Sequence, residues 1–151
     1  NGSNVEQAVA ALGMHAAKMA SEKPALATRA SSGAAIDAMF EACPELLGGS
    51  ADLTGSNLTL AKGTQDFTAE NRAGRYVRYG IREHGMAAAV NGMTLCGLRA
   101  YGATFFVFSD YCRPSIRLAA LMGVRVVHVV SHPSRSLSSS ATAARTPHPR
   151  G

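Results

Sequence analysis

Tryptophan is absent from this chain, aromatics make up only 6% of it, and three cysteines occur in 151 residues. No apolar run approaches the ~20 residues that cross a bilayer, and no leader pattern opens the chain, so no membrane partner is expected. Cys43, Cys96 and Cys112 have no C-x-x-C or other metal-ligand spacing. They read as reduced thiols, mostly packing residues, as suits a cytoplasmic protein. Acid is missing from residues 111–151, where six arginines stand without a counter-charge. That segment supplies the net charge of +5, because the first 110 residues hold nine Lys/Arg against all ten acids. A basic face with interleaved aromatics or a reading motif is lacking, so nucleic acid is not an expected partner. The chain opens on asparagine, as a fragment or a processed piece would.

What is present is one domain's worth of sequence, 46% hydrophobic and 17% charged, enough to bury a core. Small apolar residues at helical intervals predict a helix over residues 4–20, with Val5, Val9, Leu12 and Ala16 on one stripe and Ser3 or Asn4 as its cap. The 21–24 stretch, ending in Pro24, reads as a linker. A second helix is expected over 31–43, with Ile36, Met39 and Phe40 inward, and a short buried strand over 46–50. Residues 54–74 read mostly as loop. A strand at 76–79, a helix at 82–97 with Met86, Val90 and Met93 on one face, and an apolar strand at 103–108 follow. Ser109 or Asp110 is positioned to cap a helix that Gly123 ends, and a β-branched strand is predicted over 124–130.

Strands alternating with helices predict an α/β fold with a doubly wound parallel sheet. In such folds ligands lie beyond the carboxyl ends of the strands. Ser50 and Asp52 follow the first predicted strand, Glu83 the second, Ser109 to Tyr111 the third, and Ser131-His132 the fourth. The tail over 133–151 is Ser-, Ala- and Arg-rich without an apolar period and is expected to be disordered.

Three segments carry a family resemblance: Gly48-Gly49-Ser50-Ala51-Asp52-Leu53-Thr54-Gly55-Ser56-Asn57, Tyr79-Gly80-Ile81-Arg82-Glu83-His84-Gly85-Met86, and Thr104-Phe105-Phe106-Val107-Phe108. With them the chain resembles the transketolase family, and more narrowly its central, pyrimidine-binding domain. The resemblance implies thiamine diphosphate as cofactor. It makes Glu83 the carboxyl that contacts the aminopyrimidine ring nitrogen and favours the tautomer able to accept the cofactor's carbon-bound proton. By the same resemblance Phe105, Phe108 and Tyr111 pack around the pyrimidine, and Asp52 lies near the cofactor. Ser56, His132 and Arg29 bind the sugar-phosphate substrate, Arg29 through its forked donors. Strict strand alternation would put Phe105 and Phe108 on opposite faces, so the chain must bend or leave the strand between them.

The resemblance covers residues 1–132, divided into a helix and linker (1–23) and a pyrimidine-binding domain (24–132). Cys96-Gly97-Leu98-Arg99 is one residue shorter than the family's usual turn. After His132 the family continues with Asp-Ser-Ile-Gly and a Gly-Glu-Asp-Gly-Pro-Thr-His-Gln-Pro run, whereas this chain has Pro133-Ser134-Arg135-Ser136 and no acid. That loss fits an out-of-frame or divergent end. The Gly-Asp-Gly motif that holds Mg²⁺ or Ca²⁺ on the cofactor's diphosphate is absent too, so the chain alone is expected to be inactive. A homodimer or a complementary diphosphate-domain subunit is the expected partner. Dihydroxyacetone synthase, deoxyxylulose-phosphate synthase, a split thiamine-dependent enzyme and a noncatalytic docking module are the other readings.

Overall fold

The computed structural model describes residues 2–132, with side chains from Val5 onward. The elements run α1 (Gly2–Glu22), α2 (Thr28–Ala42), β1 (Leu46–Ser50), α3 (Thr54–Asn57), β2 (Tyr76–Arg78), α4 (Glu83–Leu95), β3 (Arg99–Phe105), a 3₁₀ turn (Phe106–Phe108), α5 (Ser109–Met122) and β4 (Val127–Ser131). The sheet is wholly parallel in the order β2-β1-β3-β4. The chain therefore steps from β1 to one side, returns through α4 to the other, and leaves a switch point between β1 and β3. The expected α/β doubly wound parallel sheet is what forms. The disordered-tail expectation falls on 133–151, outside the described residues.

Register explains the two adjacent glycines of β1. Gly48 and Tyr76 are paired neighbours, and a Cβ on Gly48 would run into the Tyr101 ring. A Cβ on Gly49 would instead meet the Tyr79 ring and the Val77 carbonyl. One glycine thus admits a ring on each face of the sheet. On the first face α1 and α2 close a core of Ala8, Ile36, Phe40, Cys43, Leu46, Ala61 and Tyr101. On the other, α4 and α5 cover Ala51, Met86, Ala87 and Cys112. Gly102 lets α4 approach, its missing Cβ facing Met86 and Val90.

Several boundaries differ from expectation. Helix α1 runs through Glu22, and Val5 and Val9 are exposed while Ala8 is buried. The inward stripe is the small one because Ala8 lets α1 lie close on α2. The expected loop at 54–74 contains the single turn α3. Strand β3 begins at Arg99 and stops at Phe105, not 103–108, because small Ala100, Gly102 and Ala103 fill the tight centre of the sheet. Strand β4 starts at Val127 rather than 124. Neither Ser109 nor Asp110 caps α5; the Ser109 hydroxyl donates to the Phe106 carbonyl at 2.6 Å and closes the 3₁₀ turn. Gly123 does end α5, in the left-handed region at φ 66°. Cys43 and Cys112 are buried free thiols, and Cys96 is an exposed one.

Candidate functional site

The turn after β2 delivers a carboxylate to the carboxyl edge of the sheet. Gly80 takes φ 63°, a left-handed step that only glycine makes without strain, and Glu83 becomes the first residue of α4. The helix dipole favours an acid there. Glu83 is nonetheless only 8% exposed, and among the described residues no donor reaches its carboxylate. Its own carbonyl accepts the Cys112 thiol at 3.4 Å, fastening α4 to α5. A polar group this sheltered is costly unless a partner meets it, so the open side of the carboxylate is a place for a donor.

That open side is a cleft of about 480 Å³ lined by Ala51, Ile81, Glu83, Phe108 and Tyr111. Its walls follow β1, β2 and β3 in turn, which sets it at the switch point where α/β sheets bind ligands. Phe105 and Phe108 stack with ring centroids 6.2 Å apart and planes 21° off parallel; Phe108 and Tyr111 stack at 6.3 Å and 24°. The chain does leave the strand between Phe105 and Phe108, and the 3₁₀ turn brings both rings onto one ladder. Phe106 and Val107 are exposed and do not line the cleft.

The other singled-out residues spread around this cleft. Asp52 is exposed, one residue beyond Ala51, in the left-handed region at φ 58°. Ser56 is exposed on α3, and His132 is exposed just after β4. Arg29 sits in the first turn of α2, one turn before Gly33, whose α-carbon abuts Leu58 next to α3. Arg29 and Ser56 therefore share one flank, while neither they nor His132 line the cleft itself. Two contributors were not singled out from the sequence. Ile81 forms a wall, and its signal was a bulky apolar side chain stranded in a glycine turn. Tyr79 packs beneath the cleft, where burial pushes its phenol up to about 12. Among the described residues no cluster of His, Cys, Asp or Glu could hold a metal ion.

Comparisons with known proteins agree on one likeness. The family profile "Transketolase, pyrimidine binding domain" matches residues 24–144. A transketolase from Cereibacter sphaeroides is 55% identical over 128 residues, covering 84% of this chain and 20% of the relative. One from Geobacillus stearothermophilus is 57% identical over 110 residues, covering 72% and 16%. Among solved structures, the transketolase of Pichia stipitis in complex with sedoheptulose 7-phosphate superposes with a TM-score of 0.68 at 42% identity, over 70% of this chain and 17% of that one. The chain spans about a fifth of the length of the curated relatives it matches.

Proposed function

The chain belongs to the transketolase pyrimidine-binding domain family, and we propose that its cleft takes the aminopyrimidine of thiamine diphosphate. The observation that carries this reading is the sheltered Glu83 carboxylate facing a cleft walled by stacked Phe108 and Tyr111. Those groups fit the ligand: a flat, electron-poor ring with a nitrogen at its edge needs aromatic faces and one carboxyl. Glu83 holds a proton against the ring nitrogen, and Phe108 and Tyr111 orient the ring and exclude water. Thiamine diphosphate, when bound, supplies the carbon nucleophile that carries a two-carbon ketol unit between sugars. Arg29, Ser56 and His132 bind the sugar phosphate, with Asp52 beside the cofactor.

The diphosphate and its metal ion, Mg²⁺ or Ca²⁺, need a second site, since the chain has no Gly-Asp-Gly. Ile81 and Tyr111 on the cleft wall are each more than 60% exposed, which supports closure by another polypeptide. That polypeptide is a second subunit or a complementary diphosphate-binding half. The free thiols support a cytoplasmic setting. The same exposed rim favours a second reading, a docking module without catalysis of its own.

Mixing the chain with a diphosphate-binding transketolase half, thiamine diphosphate and Mg²⁺ tests both readings. The expected result is ketol transfer from sedoheptulose 7-phosphate to an aldose phosphate, and none from the chain alone. A stable complex without turnover would replace the enzymatic reading with the docking one.

A further inference from the structure

We propose that the buried hydrogen bond between Asn57 and Ser131 positions Ser56 and His132, and thereby sets affinity for the sugar phosphate. This rests on the reading of Ser56 and His132 as substrate ligands given above. The Ser131 hydroxyl donates to Asn57 Oδ1 at 2.8 Å across 74 residues of sequence. Asn57 is 0% exposed and Ser131 8%. Ser56 immediately precedes Asn57, and His132 immediately follows Ser131. The hydrogen bond is thus one residue from each ligand.

Topology makes this contact informative. β1 and β4 are not neighbours, because β3 lies between them. Helix α3 leans over β3 so that Asn57 can reach the end of β4. The other ties on this segment stop short of β4: Asn57 N–H donates to the Leu53 carbonyl at 2.8 Å, Leu53 N–H to Ser50 Oγ at 3.2 Å, and Ser50 Oγ to the Ala103 carbonyl at 3.1 Å. The segment is also bracketed by two left-handed non-glycine residues, Asp52 (φ 58°) and Leu58 (φ 55°), a conformation that surrounding contacts must enforce. Asn57 Nδ2 has no partner among the described residues, so losing Ser131 leaves the amide without any side-chain hydrogen bond. Asn57 and Ser131 act as positioning residues; neither needs to touch substrate.

Two readouts test this, the first on the chain alone. Ser131→Ala is expected to speed amide hydrogen exchange at Ser56, Asn57 and Leu58 about tenfold, the equivalent of one buried hydrogen bond, with Met86 and Val90 unchanged. Ser131→Thr, which keeps the hydroxyl, restores the slow rates. In the reconstituted assembly, Ser131→Ala raises KM for sedoheptulose 7-phosphate about tenfold with kcat within about twofold and cofactor affinity unaltered. A purely structural role would instead lower kcat through a smaller active fraction and leave KM alone. Unchanged exchange at 56–58, or a fall in kcat at constant KM, overturns the proposal. Should the unaltered assembly show no ketol transfer, the functional reading fails, and the exchange rates alone decide whether the ends of α3 and β4 are coupled through this bond.

Discussion

The two faces of the sheet are finished to different degrees. On the α2 face the two tyrosine hydroxyls and the Arg75 guanidinium are paired within the chain, and Asn57 Nδ2 is the buried polar atom left open near α3 among the described residues. Tyr76 Oη meets both Thr59 Oγ1 and Thr54 Oγ1 at 3.0 Å, and Tyr101 Oη donates to the Thr59 carbonyl at 2.6 Å. Arg75 lies 3.4 Å over the Phe40 ring while Nη1 donates to the carbonyls of Phe40, Cys43 and Pro44 at the end of α2. On the α4 face the Tyr79 hydroxyl, the Glu83 carboxylate and His128 Nε2 have no partner among the described residues. A face closed by its own side chains serves stability. A face left open beside a cleft is where the proposed ligand and partner would complete the structure.

Substitutions on the two faces should separate these roles. The largest expected effect is Gly48→Ala on the closed face, whose methyl would overlap the Tyr101 ring. It should cost about 3 kcal/mol or more in urea unfolding, and a cost under about 1 kcal/mol would mean that β1 yields easily. Tyr101→Phe comes next. It strands the buried Thr59 carbonyl and should lose about 1–2 kcal/mol in the same measurement.

His128 titrates on the open face, since Gly102, its register partner, faces α4. Burial lowers its pKa below the ordinary 6.5. The unfolded chain then binds the proton first, so stability is full above that value and falls as pH drops through the folded one. Unfolding at pH 7.5 and 5.5 should show a loss of less than about 1 kcal/mol that His128→Val removes. The smallest effect on stability is expected from Ile81→Ser on the exposed cleft wall, within about 0.5 kcal/mol, although it should weaken assembly with a diphosphate-binding half at least about tenfold. Analytical ultracentrifugation of the mixture reads that outcome.

How much of this was legible in the sequence depended on the range of the interaction. Glu83 was legible because its signals are local: a glycine turn, a helix start and a run of motif residues within eight positions. The departure from the strand after Phe105 followed from alternation combined with the resemblance, which asks Phe105 and Phe108 to share one ligand. The start of β3 was missed because Arg99–Ala103 has no bulky apolar run; Gly102 in particular is small to admit Met86 and Val90 of α4, a contact with no local signal. The α1 stripe failed similarly, since valine marks an apolar face but close helix packing selected Ala8. The Asn57–Ser131 bond had no sequence signal at all, being a contact between the ends of α3 and β4, 74 residues apart.

The central claim is that Glu83 meets the ring nitrogen of an aminopyrimidine. The most direct measurement is ¹⁵N NMR of thiamine diphosphate labelled at that nitrogen, bound to the chain assembled with a diphosphate-binding half. With Glu83 present, the resonance should move from its free position on binding. With Glu83→Gln it should stay near the free position while ketol transfer falls by about 10²–10⁴-fold. The same bound resonance in both proteins would contradict the account.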